Sequence, residues 1–188
     1  MSKISKYYSD SFNFFRESKK YILFATVVFF FFFLIGFIFP IFFRERVAEF
    51  ILGLRDIFLG KGLLETIFLI FLNNLQASGL AMILGIGFGI IPLIIGIING
   101  YLVGFVSREA VNVEGISILW RLIPHGIFEI PAVLISIGIG LKLGVTVLDK
   151  KKGLKKEIKK TLIFFLFVVA PMLLIAAIVE SFLIFFLK

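Results

Sequence analysis

Residues 67–106 read IFLIFLNNLQASGLAMILGIGFGIIPLIIGIINGYLVGFV, about 40 positions without one charged side chain. As a single helix this stretch would be about 60 Å long at 1.5 Å per residue, twice the hydrocarbon thickness of a bilayer. Two spans are therefore required, with a turn between them. The turn falls within Gly85-Ile86-Gly87-Phe88-Gly89-Ile90-Ile91-Pro92, where glycine tolerates positive φ and proline cannot continue a helix.

Composition places the remaining chain in the same solvent. The 188 residues are 60% hydrophobic and 17% charged, with a mean hydropathy of +1.10. Soluble domains carry charge on roughly a quarter of their residues. Further uncharged runs predict three more spans, giving an all-α polytopic membrane protein in one membrane-embedded domain, residues 1–188. The expected spans are 21–43, 67–86, 91–106, 127–148 and 162–187. The first follows Lys19 and Lys20 as a signal peptide would, but it is too long and lacks a small-residue cleavage site after it.

The chain has no cysteine, which removes disulfides and thiolate chemistry. A net charge of +8 does not point to nucleic acid, because the basic residues sit beside apolar runs. Anionic lipid headgroups at the Lys150–Lys160 loop are the expected partner. Lys3, Lys6, Arg16, Lys19 and Lys20 precede the first span, and Lys150, Lys151, Lys152, Lys155, Lys156, Lys159 and Lys160 separate the last two. Five spans put both groups on one side, which the positive-inside rule makes cytoplasmic, leaving the C-terminus outside the cell membrane. In the first outer loop, Val47, Phe50, Ile51, Leu54, Ile57 and Phe58 recur at helical spacing between charges. They predict an amphipathic interfacial helix, either resting on lipid or offered to another protein. A similar helix on the cytoplasmic face is the reading for the N-terminal tail.

Small residues form stripes spaced by four: Ala77, Ala81, Gly85 and Gly89, then Gly96, Gly100 and Gly104, with a weaker case at Gly140 and Gly144. Each lies along one helix face and admits a neighbouring backbone. Whether that neighbour belongs to the same chain or to a second copy in a homodimer is not written in the stripe.

Polar groups within spans are costly and so informative. Asn73, Asn74, Asn99, His125, Glu129 and Glu180 are expected in the outer half of the bilayer as one polar layer. It would serve either as a hydrogen-bond network fixing helix register or as a site for an ion, proton or small solute. His125 and Glu129 are spaced i, i+4 and share a helix face. They are weak metal candidates, since one histidine and one carboxylate fall short of a ligand set. No catalytic constellation and no cofactor motif is present. The stretch 116–123, with Trp120 and Arg121, is too short to span and reads as an element at the outer interface, or else a re-entrant half-helix.

The string Leu122-Ile123-Pro124-His125-Gly126-Ile127-Phe128-Glu129-Ile130-Pro131-Ala132, preceded by Asn73-Asn74 and Asn99-Gly100, resembles the stage II sporulation protein M family over about residues 21–186. That family takes its name from a membrane component of bacterial spore engulfment, acting as a scaffold with peptidoglycan-degrading partners, and has members in archaea and non-sporulating bacteria. The resemblance implies a non-enzymatic scaffold with membrane or extracellular protein partners. A transporter or channel using the polar layer is the alternative.

Overall fold

The computed structural model describes residues 3–41, 45, 60–149 and 153–186, with side chains at 7–41, 45, 60–119, 126–149 and 153–186. The amphipathic segment expected within 47–58 lies outside the described residues. So do the lysines at 150–152 and the side chains of Trp120, Arg121 and His125.

The chain is all-α, with no strand among the described residues: α1 (Lys3–Ile38), α2 (Leu63–Ile83), α3 (Ile90–Glu114), α4 (Leu119–Leu148), α5 (Leu154–Phe164) and α6 (Ala170–Phe186). A π turn, Phe165–Val169, joins the last two into one rod. Among the described residues, five helical segments are long and apolar enough to cross a membrane: Tyr7–Ile38, Leu63–Ile86, Ile90–Glu114, Gly126–Leu148 and Leu154–Phe186. The helices overrun the expected spans because hydropathy marks the lipid-facing length, whereas backbone hydrogen bonding continues into polar sequence.

Three boundaries differ in kind. The N-terminal tail is the continuous first half of α1 rather than a separate helix. The stretch after residue 116 is one turn of 3₁₀ helix, Ile116–Ile118, leading directly into α4. Pro124 and Pro131 lie within that helix and do not end it. A third proline, Pro171, sits at the start of α6, two residues past the π turn. It has no N–H to offer the Phe167 carbonyl four residues earlier, and widening the preceding turn is one way a helix absorbs that loss.

The α2–α3 connection falls where glycine and proline place it. Leu84–Ile86 tighten into a 3₁₀ turn, then Phe88 (φ 60°) and Gly89 (φ 78°) take left-handed backbone. Gly89 does so at little cost; Phe88 carries a conformation a bulky residue rarely adopts. Pro92, in the first turn of α3, is buried there.

The hub is α4, which touches every other helix among the described residues. The apolar window of Gly126–Leu148 is 56% buried, against 33% or less in the other four. The most extensive pairing is α1 with α3, and the glycines explain its closeness. A Cβ on Gly100 or Gly104 would collide with the carbonyl of Phe29 or Phe33, and one on Gly36 with the carbonyl of Tyr101. Against α4, a Cβ on Gly85 would strike the Gly140 carbonyl, one on Gly140 the Ala81 carbonyl, one on Gly144 the Gly89 nitrogen, and one on Gly138 the Ile22 backbone. Gly96 is buried beside Ile137, whose side chain lies 3.5 Å from the would-be Cβ. Ala81 is buried, but Ala77 is exposed, because the packed face of α2 runs through Ile70, Asn74, Ser78, Ala81 and Met82.

Candidate functional site: intramembrane polar residues and an ion cluster

The expected polar residues are distributed over three environments. Asn99, half-buried on α3, donates its Nδ2 to the Ile95 carbonyl one turn back at 2.8 Å. On α2, Asn74 is 9% exposed and faces inward, whereas its neighbour Asn73 faces outward and is exposed. Adjacent helix positions differ by 100° around the axis, so two consecutive asparagines cannot share one face. Glu129 on α4 and Glu180 on α6 are half-buried and close enough to interact electrostatically. This follows from the antiparallel pairing of α4 and α6, in which Ala132 and Leu173 share a core cluster. Glu129 and Glu180 come together, and α2 and α3 make little contact with each other. The side chain of His125 lies outside the described residues.

Several other polar groups in the spans satisfy themselves within their own helix. Ser18 donates to Phe14 O (2.7 Å), Thr26 to Ile22 O (2.8 Å), Ser136 to Ala132 O (2.8 Å) and Thr146 to Lys142 O (2.9 Å). Each bond runs from i to i−4, the usual way a hydroxyl is carried through an apolar helix. Buried Ser11, Ser78, Thr161 and Ser181 hydroxyls make no hydrogen bond.

The most concentrated chemistry was not singled out from sequence. Lys142 lies on α4 with its side chain only 11% exposed, its Nζ 2.7 Å from Glu157 on α5 and 3.3 Å from Glu17 on α1. The Glu157 contact is an ion pair without hydrogen-bond alignment. Lys160 completes the group at 3.0 Å from the same Glu17 oxygen. Two ammonium groups and two carboxylates cancel in charge; the Lys142–Glu157 pair is shielded, whereas Lys160 and Glu17 are 35% and 50% exposed. Phe14 underlies them, its ring centroid 4.0 Å from Lys142 Nζ and 5.8 Å from Lys160 Nζ, with Phe164 packed against it at 5.6 Å. Three helices are thus tied together. The available signal was Lys142 inside a span whose other charged residue, Glu129, lies toward the opposite end; a lysine so placed in a membrane demands a carboxylate partner. Glu17, Asp149 and Glu157 are acids toward the same end.

Among the described residues no three His, Cys, Asp or Glu side chains group closely enough to hold a metal ion.

Comparison with known proteins gives two matches. The chain is 36% identical over 115 residues to the uncharacterized protein MJ0793 of Methanocaldococcus jannaschii, an alignment covering 57% of this chain and 65% of that relative, just under two thirds of its length. No solved structure matches. A family model described as Stage II sporulation protein M matches residues 25–183, which include all five spans in whole or in part and the Leu122–Ala132 string. This multi-pass membrane protein therefore belongs to the Stage II sporulation protein M family.

Proposed function

We propose that the chain is a non-enzymatic membrane scaffold, a rigid helical platform that presents its loops to protein partners. Family membership supports this reading. The observation that carries it is how the polar side chains of the spans are used. Asn99, Ser18, Thr26, Ser136 and Thr146 bond to their own helices, and Lys142 is neutralised by acids on two neighbouring helices. The first five are satisfied within their own helices and Lys142 ties three helices together, so none of them is left to line a path for a solute. Close approach at Gly36, Gly85, Gly100, Gly104, Gly138, Gly140 and Gly144 adds rigidity of the kind a platform needs.

The orientation proposed with it places the N-terminus and the Lys150–Lys160 loop in the cytoplasm, against anionic lipid, and the loop after α1 outside. Chemical crosslinking in native membranes followed by mass spectrometry tests the scaffold. Recovery of defined membrane or extracellular partners is the expected result; membranes in which the chain crosslinks to no protein remove the proposal. The chain has no cysteine, so single cysteines introduced at Glu45 and Gly153 report sidedness through an impermeant thiol reagent. Labelling of the first and not the second in intact cells is expected.

A further inference from the structure

The side of α2 turned away from the bundle has the wrong chemistry for lipid. Asn73, Gln76, Ala77 and Leu80 are all exposed and follow one another at i, i+3, i+4 and i+7, the spacing of a single helix face. Within the apolar segment Leu63–Ile86, Asn73 lies about 15 Å from one end and about 20 Å from the other. The two carboxamides therefore sit near the middle of the hydrocarbon, and neither makes a hydrogen bond among the described residues, unlike Asn99 with its bond to Ile95. Lipid tails offer neither donor nor acceptor, so such groups seek a partner on another helix.

We infer that this face of α2 is a self-association surface that pairs with the same face of a second copy of the chain. The occupant follows from the chemistry. A carboxamide carries donor and acceptor together, so it is complementary to an identical group brought to it by a two-fold axis along the membrane normal. A charged or purely apolar partner would leave half of that capacity unused. Ala77, one turn from Asn73, keeps the face low enough for the two helices to approach. The glycines at 85, 100, 104, 138, 140 and 144 lie against backbone of their own chain, so they are not free to form such a contact. The inference deepens the scaffold reading and rests on it only in treating protein contact as the chain's purpose.

The absence of cysteine makes the test direct. A single cysteine at Leu80 is oxidised in native membranes, with single cysteines at Ile98 on α3 and Leu166 in the π turn as controls; both control positions are exposed on other helices. A disulfide-linked dimer is expected from Leu80→Cys and not from the controls. Adding Asn73→Leu and Gln76→Leu should lower the linked fraction about tenfold, the order expected for losing two interhelical carboxamide bonds. Those outward side chains can be replaced without touching the core, and unchanged helicity by circular dichroism verifies it. Equal linkage at all three positions, linkage that survives the double substitution, or an adduct with a different protein each overturns the inference. A dimer that recruits no further protein would keep the inference and remove the scaffold; a monomer that still captures partners would do the reverse.

Discussion

Lys142 and Glu157, on consecutive helices, meet at 2.7 Å with side chains only 11% and 15% exposed. Neither is isolated. The lysine also reaches Glu17 from α1 and lies over the Phe14 ring, so one ammonium group joins the start of the chain to its last hairpin.

Lys142→Met should therefore destabilise the protein by about 2 kcal/mol, because it leaves the Glu157 carboxylate buried without its cation. Adding Glu157→Gln to that variant should recover part of the loss. Thermal unfolding in detergent for the two single variants and the double variant measures the coupling; additive losses would show that the pair contributes nothing.

Phe14→Leu tests the ring beneath the cations. The substitution keeps an apolar side chain but removes the 4.0 Å cation–π contact and the packing on Phe164. A loss of about 1–2 kcal/mol is expected. Leucine at the exposed Phe12 should be nearly silent in the same unfolding assay.

Gly104→Ala should separate α1 from α3, since the new Cβ meets the Phe33 carbonyl and neither backbone can rotate away. A cost of about 1–3 kcal/mol follows from overpacking of this kind. Gly62→Ala, with nothing within 4 Å, is the control expected to leave the unfolding temperature unchanged.

The spans and the α2–α3 turn were legible in the sequence because both rest on local quantities. A run such as Phe29 to Phe33 is apolar whatever surrounds it, and three glycines and a proline within Gly85 to Pro92 favour a turn through local backbone preference. The family string is likewise contiguous. The candidate site was legible only in part. Glu129 and Glu180 share an environment, but Asn73 and Asn74 divide between the outer face and the core, and Asn99 turns back on its own helix. Those outcomes depend on how each helix is rotated about its axis, and hydropathy does not report rotation.

What the sequence by itself determined is the solvent, the class and the approximate spans: its uncharged stretches are long enough to require the bilayer core. Only the tertiary structure decided which surfaces meet. It placed Gly100 and Gly104 against Phe29 and Phe33 of the same chain, put α4 at the centre, and brought Lys142 to Glu17 across 125 positions of sequence. Burial in lipid is a property each segment has alone. Pairing between helices depends on close packing and charge compensation across distant segments, and those forces act only once the helices have come together.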